Sequence, residues 1–175
     1  MYDSPFILLH LEPIFFPNCR MMHFTREILD HYVNGHETYL RNVSVDCIVF
    51  GFHDKELKVL IHYARHAKSW ALPGGFIRKD EHMDDAARRI LREISSLDNV
   101  YLQQFTVFSR PDRSTKELNQ EFLRKLEIDL QESWMFERFL TVGYTALVNY
   151  TRVEIQPSLF STSCEWCNVH ALPEL

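Results

Sequence analysis

Residues 70–97 read WALPGGFIRKDEHMDDAARRILREISSL, and this stretch decides the fold. Its apolar start, residues 70–72, predicts a short strand, and Gly74-Gly75 predicts a turn after it. A charged segment that favours helix follows over residues 83–96, with two aspartates near its positive N-terminal end. Glycines ahead of such a helix let the backbone approach a ligand without a Cβ atom in the way. The layout is typical of a helix that presents acidic side chains to a metal-bound phosphate.

Length and composition indicate one globular domain. The chain has 175 residues, 46% of them hydrophobic, which is enough to bury a core. The formal net charge of -5 does not favour a nucleic-acid-binding face, so we expect no direct nucleic-acid contact. The four cysteines are too few and too unevenly spaced for a disulfide framework, which favours a reducing, cytoplasmic location. No apolar run approaches the ~20 residues that span a bilayer, so we expect no membrane contact.

The first 22 residues differ from the rest. Prolines 5, 13 and 17 bracket an apolar run, and neither a basic start nor a small-residue cleavage site is present, which excludes a typical signal peptide. We predict that residues 1–22 are a poorly structured leader and that residues 23–175 form the domain. The alternative is that the leader is a strand or arm that packs on the domain.

The remaining segments alternate between strand-like and helix-like patterns. Strands are predicted at residues 44–52, 57–64, 100–110, 139–150 and 164–169. Helices are predicted at residues 25–32, with Thr25 as N-cap and Gly35 beyond the end, and over residues 118–130, where apolar residues recur every fourth position. The first two strands are expected to form a hairpin. This mixture favours an α+β sandwich with a mixed sheet.

Residues 75–97 resemble the Nudix box, G-x5-E-x7-R-E-U-x-E-E-x-G-U, where U is a bulky aliphatic residue. The matching positions are Gly75, Glu81, Arg89, Leu91, Glu93 and Leu97. The preceding WALPGGF also looks like the family's approach to the box, and with the strand order the resemblance covers residues 43–175. It implies a Nudix α/β/α sandwich.

Three positions depart from the box. Ile90 and Ile94 stand where the pattern has glutamates, and Ser96 stands where it has the second glycine. In the family, the glutamates matching positions 90, 93 and 94 supply most of the metal ligands. The resemblance therefore leaves Glu93 as the remaining metal ligand, with Glu81 as a vestigial catalytic partner, and implies Mg²⁺ only if the chain is active. Another acid would have to complete the site, and the candidates are Asp112, Asp129 and Glu132, with nothing in the sequence to prefer one.

Each of these positions also has a purely structural interpretation. Ile90 and Ile94 extend an apolar stripe on the helix, which favours core packing for both. Arg89 and Glu93 are four residues apart and are placed to form a helical ion pair. For Glu81 and Glu93, structural and ligand roles remain equally open.

Ligand-binding candidates come from the box and from a later loop. The resemblance assigns Gly75 and Arg89 to the ligand site. Arg110 and Arg113 follow a predicted strand in a loop, where guanidinium groups are suited to grip a diphosphate, although an ordinary solvated turn explains them equally well. The pair Cys164 and Cys167 lacks the further ligands of a zinc site and is predicted to be structural.

Degenerate boxes of this kind resemble those of bacterial Nudix-related transcriptional regulators, in which the Nudix domain senses ADP-ribose or a sugar and a C-terminal winged helix binds DNA. The resemblance implies a ligand-sensing domain. The alternative is a divergent Mg²⁺-dependent hydrolase of nucleoside diphosphate derivatives. A third hypothesis is a homodimeric interaction module, with Trp134 and Phe136 beside the 118–130 helix as exposed contacts. We also expect the sandwich to lack its final helix and this chain to carry no winged helix.

Overall fold

A computed structural model describes residues 19–64, 69–95, 100–111, 116–125, 127–152 and 161–173. The elements are, in chain order, α1 (Cys19–Thr38), β1 (Tyr39–His53), β2 (Glu56–Ala64), β3 (Ser69–Ala71), β4 (Gly74–Arg78), α2 (Met83–Ser95), β5 (Gln103–Phe108), α3 (Lys116–Lys125), β6 (Leu140–Val148) and β7 (Ser161–Asn168). Two short 3₁₀ helices, Trp134–Phe136 and Tyr150–Arg152, flank β6. Residues 1–18 of the predicted leader lie outside the described residues, and α1 begins at Cys19.

The strands form one mixed sheet. Its central order is β3-β2-β1-β6-β5, with β4 paired to β1 and β7 paired to β2. The β1–β6 pair is parallel and the other pairs are antiparallel, so the predicted α+β fold with a mixed sheet is confirmed. The predicted hairpin joins β1 to β2 through Asp54 and Lys55, whose φ angles of 48° and 67° are those of a tight two-residue turn.

Helix α2 covers one face of the sheet. Its apolar side places Ala86, Ala87, Ile90, Leu91 and Ile94 in the main core, and all five are at most 5% exposed. These side chains pack against alternate residues of three strands, namely Val45, Cys47, Val49, Ile77, Val142, Tyr144 and Ala146. The apolar side of the helix and the inward-facing residues of the strands therefore form one apolar layer.

Helix α1 and the 3₁₀ helix at Trp134 lie against the opposite face. Phe76 pairs with Ser44 in the sheet, and its neighbours Gly75 and Ile77 face α2, so its ring points the other way. That ring lies 4.9 Å from the Trp134 ring and 5.5 Å from the His31 ring of α1. Helices thus lie on both faces, as the predicted α/β/α sandwich requires.

The segment Gly74-Gly75 corrects the sequence analysis. Both glycines lie in β4 and pair with Asp46 and Val45 of β1, so the predicted turn is wrong. Neither glycine has a positive φ angle. A pair of glycines favours a turn locally, but here the missing Cβ atoms let β4 lie close beneath α2 and beside Asp46.

The two outer helices also differ from prediction. Helix α1 runs from Cys19 to Thr38, so Thr25 is not its N-cap and Gly35 lies inside it. A Cβ atom on Gly35 would lie 2.7 Å from the Trp134 ring, which explains a glycine in the helix by close packing. Helix α3 ends at Lys125 rather than at residue 130, because Glu127 adopts a φ of 60° and its amide N–H bonds to the carbonyl of Arg124.

Candidate functional site

Arg89 and Glu81 form the centre of the box region. Arg89 lies on α2, and its Nε and Nη2 atoms donate to the two carboxylate oxygens of Glu81 at 3.0 and 2.7 Å. The same Nη2 donates to the carbonyl oxygen of Phe76 in β4 at 2.8 Å. Only 10% of the Arg89 side chain and 14% of the Glu81 side chain are exposed. A two-point charged pair at this depth fixes the loop between β4 and α2.

The Glu81 carboxylate has a third donor. The backbone N–H of Arg78 donates to its Oε1 atom at 2.7 Å. Hydrogen bonding from Arg89, followed by that from the Arg78 N–H, holds the pKa of Glu81 below its usual range against the opposing effect of burial. Glu81 is therefore charged, and both of its oxygens are already engaged. This arrangement supports the structural interpretation of Glu81 more than a role as metal ligand or base.

Glu93 has a looser environment. Its Oε2 atom accepts a hydrogen bond from Arg89 Nη1 at 3.2 Å, four residues earlier on α2, as the helical spacing predicted. Its Oε1 atom lies 3.7 Å from Nη2 of Arg78, and 51% of its side chain is exposed. We call Arg89, Glu81, Glu93 and the Phe76 carbonyl the Arg89 clamp. Within it, Glu93 is the carboxylate with room for another partner.

The two isoleucines lie in the core, as the apolar stripe predicted. Ile90 is 3% exposed and Ile94 is 5% exposed. A Cβ atom on Gly75 would lie 3.2 Å from the Cδ1 and Cγ1 atoms of Ile90, so the glycine leaves the space that this side chain fills. Gly75 therefore has a packing role here that does not require a ligand.

The side chains in the box do not fit a magnesium ion. Isoleucine has no donor atom, and Glu81 is held by Arg89 and the Arg78 N–H. Among the described residues, no three His, Cys, Asp or Glu side chains are grouped so that they could hold one metal ion. Of the box positions that hold glutamate in the family pattern, Glu93 alone has a carboxylate with room for another partner, which is fewer protein oxygens than that pattern supplies.

The structure leaves the arginine loop untested. Arg110 is exposed two residues beyond β5, at the edge of the sheet, whereas β4 and the clamp lie beyond β6 and β1. Arg113 lies outside the described residues, as does Asp112. Asp129 is exposed and its carboxylate accepts a hydrogen bond from Gln131 at 2.7 Å, and Glu132 is exposed. Their assignment to a ligand or metal site remains a prediction.

Two contacts of the box helix were missed by the sequence analysis. Asp84 on the first turn of α2 accepts a hydrogen bond from the hydroxyl of Tyr144 in β6. Burial, with Asp84 second, raises the pKa of Tyr144. Arg89 also binds the backbone carbonyl of Phe76. No local pattern marks a backbone carbonyl or a tyrosine in an apolar strand as a partner of this helix.

The cysteine pair lies in β7. Cys164 is 6% exposed in the main core, and burial raises its pKa to about 11, so the thiol is held in its neutral form. Cys167 is three residues further along the strand and its Sγ lies 3.2 Å from the carbonyl oxygen of Ala171. The buried thiol supports the predicted structural role.

Comparison with known proteins gives the same family as the box. A model of the NUDIX domain matches residues 40–175. The NUDIX domain of Shewanella oneidensis NrtR, solved with ADP-ribose, is 26% identical with a TM-score of 0.54, over 83% of each chain. The resemblance to the Nudix family and to the Nudix domain of a Nudix-related regulator is thereby confirmed. No match was found among curated proteins.

Two further structures show how widely the fold recurs. A MutT/nudix family protein from Enterococcus faecalis is 23% identical with a TM-score of 0.55, covering 88% of this chain and 57% of that one. A bifunctional NMN adenylyltransferase/ADP-ribose pyrophosphatase from Francisella tularensis is 19% identical with a TM-score of 0.52, covering 86% and 38%. At these identities the likeness shows the fold alone. This chain also spans about half of whole NrtR, at 53% of that chain.

Proposed function

Because this chain belongs to the NUDIX domain family, we propose that it is a ligand-sensing domain that binds a nucleoside diphosphate derivative or a sugar without hydrolysing it. One observation carries the proposal. Arg89 engages both surviving box carboxylates, Glu81 and Glu93, while Ile90 and Ile94 are buried in the core. These side chains hold β4 and α2 together through hydrogen bonds. Too few carboxylates of the box are left to bind a metal ion.

The ligand class is supported by one relative. The NrtR domain that is 26% identical to this chain was solved with ADP-ribose. We propose that Arg110 and Arg113 contact the diphosphate of such a ligand, since guanidinium groups bind phosphate oxygens in pairs. Gly75 and Arg89 would act differently, by fixing the β4–α2 junction through packing and hydrogen bonds.

The alternative is a divergent hydrolase, and the exposure of Glu93 favours it. A half-exposed carboxylate with one long hydrogen bond is able to turn toward a metal, unlike that of Glu81. In that case Mg²⁺ would bind the diphosphate together with Glu93 and would neutralise phosphate charge. Hydrolysis would then depend on added Mg²⁺ and on Glu93.

A calorimetric titration with ADP-ribose separates the two functions. We expect binding of similar affinity with and without Mg²⁺, and no turnover when the mixture is followed by phosphorus NMR. Arg110→Ala should weaken binding, whereas Arg26→Ala on α1 serves as the control for loss of an exposed arginine. Mg²⁺-dependent hydrolysis that disappears in Glu93→Gln would instead establish the enzyme. If ADP-ribose does not bind, a thermal-shift series with pentoses tests the sugar alternative.

A second experiment asks whether the metal site can be restored. The double variant Ile90→Glu with Ile94→Glu places two carboxylates in the core and should lose stability, because buried charges are costly without a partner. Mg²⁺ should then raise its melting temperature while leaving the wild type unchanged. The matched control is Ile90→Gln with Ile94→Gln, which is polar but uncharged. If Mg²⁺ changes the melting temperatures of the two double variants equally, the side chains at positions 90 and 94 do not face a common metal site.

We also propose a cytoplasmic location. In the described part of the chain, no helix combines the length and apolar character needed to cross a bilayer. Cys47, Cys164 and Cys167 are free thiols, which supports a reducing, cytoplasmic location. Whole NrtR was solved with a 27-mer DNA, but the negative charge of this chain does not favour direct nucleic-acid contact.

A further inference from the structure

Four neighbouring strands carry an arginine at the same end of the sheet. Strands β4, β1, β6 and β5 are adjacent in that order, and their register brings together the end of β4, the start of β1, the start of β6 and the end of β5. Within two residues of these ends lie, in the same order, Arg78, Arg41, Arg138 and Arg110. Neighbouring strands are about 4.8 Å apart, so these residues form a row about 14 Å long, which we call the arginine row.

Hydrogen bonds fix the middle of the arginine row. The Nδ2 atom of Asn42 donates to the carbonyl oxygen of Arg138 at 2.9 Å, and Nη2 of Arg138 donates to the carbonyl oxygen of Ser109 at 2.6 Å. Asn42 has a φ of 66°, a left-handed conformation that asparagine adopts more readily than most residues. The start of β1 is therefore tied through Arg138 to the residue that precedes Arg110.

The segment that carries Arg138 is positioned by Trp134. The sequence analysis placed Trp134 on the surface as a contact for a second copy, but its ring is 3% exposed and packs on His31 and Phe76. That part of the dimer hypothesis is wrong, because α1 and β4 already cover the ring. The backbone N–H of Glu137 donates to the Trp134 carbonyl at 3.3 Å, so the chain leaves the 3₁₀ helix at Glu137 and enters the arginine row at Arg138.

Three members of the row present guanidinium groups at the surface. The side chain of Arg41 is 53% exposed, and its Nη1 atom lies 3.6 Å from Oε1 of Glu137. Arg138 is exposed and, toward described residues, donates only through Nη2, which leaves Nε and Nη1 able to donate to a ligand. Arg110 is exposed at the next strand end. Guanidinium groups bind phosphate through paired N–H donors, so three of them on adjacent strand ends suit an anion with several oxygens.

We propose that Arg41, Arg138 and Arg110 form one binding site for the diphosphate group of a small-molecule ligand. Because the chain has a formal charge of -5, this site is a local positive region on an acidic molecule, and it attracts a compact anion. The class of ligand rests on the proposed function, whereas the choice of Arg41 and Arg138 rests on the strand register and the hydrogen bonds around them. Arg78 is not included, since it lies 3.7 Å from Glu93 of the Arg89 clamp.

Glu137 opposes the ligand in this site. Its carboxylate attracts Arg41 and repels an anion, and binding of a diphosphate would replace it as the partner of Arg41. Glu137→Gln removes the charge at nearly constant shape. The variant should therefore bind the anion about two- to fivefold more tightly, the range that corresponds to an exposed ion pair.

Calorimetric titration of the full chain without Mg²⁺ tests the site, first with inorganic pyrophosphate and then with ADP-ribose. Arg41→Ala and Arg138→Ala should each weaken the binding of both by about tenfold, since each removes charged hydrogen bonds. Arg138→Lys keeps the charge without the paired donors and should recover only part of the affinity. The matched control is Arg26→Ala on α1, which should leave both affinities unchanged. Added NaCl should reduce the difference between wild type and Arg41→Ala.

The outcomes separate this site from the proposed function. If ADP-ribose binds and the Arg41 and Arg138 variants bind it as tightly as the wild type does, the site is overturned while the proposed function stands. Pyrophosphate binding that depends on these arginines, with no binding of ADP-ribose, supports the site and contradicts ADP-ribose as the ligand. No binding of pyrophosphate at millimolar concentration overturns the site, as does tighter binding of a single-stranded oligonucleotide. If Arg138→Ala does not fold, Arg41→Ala and Glu137→Gln still decide, because unchanged affinity in both overturns the site.

Discussion

Two regions hold β4 from opposite faces of the sheet, and they differ in how far apart their residues lie in the chain. The Arg89 clamp joins residues separated by 4 to 13 positions. On the other face, Trp134 packs on Gly35, His31, Tyr39, Phe76 and Phe139, and its Nε1 donates to the His31 carbonyl 103 residues away. We call this second set the Trp134 anchor. Phe76 belongs to both, through its carbonyl and its ring. The contacts of the Arg89 clamp are encoded within one local motif, whereas most contacts of the Trp134 anchor form only when distant segments of the chain fold together.

The largest effect is expected from removing the anchor. Trp134→Ala should lower the free energy of unfolding by about 3–5 kcal/mol, since it leaves a cavity between α1 and the sheet. Trp134→Phe keeps most of the ring and should cost less, chiefly the hydrogen bond to the His31 carbonyl, about 1 kcal/mol. Urea unfolding followed by circular dichroism measures both. Equal costs for the two variants would mean that the ring contacts contribute little.

Breaking the clamp should cost somewhat less. Arg89→Met leaves Glu81 charged and 14% exposed without its main partner, at about 3 kcal/mol, the lower end for such pairs because the Arg78 N–H remains. The double variant Arg89→Met with Glu81→Gln removes both charges and should recover part of that loss. The same unfolding assay gives the comparison. If the double variant is less stable than Arg89→Met, the charge of Glu81 is not the source of the cost.

Acid should weaken the anchor through His31. Burial lowers the pKa of His31 from 6.5 to about 4, with Asp30 opposing it. Below pH 6.5 the unfolded chain therefore takes up this proton first, and stability falls as the pH drops from 6.5 toward 4, by about 2 kcal/mol near pH 5. His31→Phe should remove this contribution while keeping a ring beside Trp134. An unfolding series over this range that is as steep in the variant as in the wild type would contradict the assignment to His31.

The smallest effect is the coupling between the two regions through Phe76. Arg89→Met and Trp134→Phe act on the same residue from opposite faces, so their costs should differ from additivity by about 0.5–1 kcal/mol. The double-mutant cycle uses the unfolding assay above. The control is a second cycle that combines Arg89→Met with the distant Val33→Lys, whose costs in free energy of unfolding should be additive. Coupling of the same size in this control cycle would mean that the coupling between Arg89 and Trp134 does not act through Phe76.

The sequence predicted the clamp better than the anchor for a physical reason. Arg89 and Glu93 are four residues apart on one helix, so their spacing predicted the pair, whereas Glu81 was assigned to the same motif through the resemblance. Trp134 was placed on the surface because its partners in α1, including the His31 carbonyl, are about a hundred positions away and no local pattern connects them. Gly74-Gly75 was assigned to a turn because its strand pairing with β1 is decided by distant residues. The five longer strands and α2 were found from their own periodicity.

The close approach of Ile90 to Gly75 constrains how such a chain can diverge further. Any larger residue at position 75 would push against the isoleucine, because its Cβ would lie 3.2 Å from two atoms of that side chain. Ile90 would have to move by a few tenths of an ångström to admit such a residue, and a smaller side chain at position 90 would remove the need for that shift. The glycine is kept by its neighbour across the core. A glycine at this position of the box is explained by the packing of the backbone against α2. It is therefore not evidence of metal-dependent activity unless the box also carries the glutamates that bind the metal.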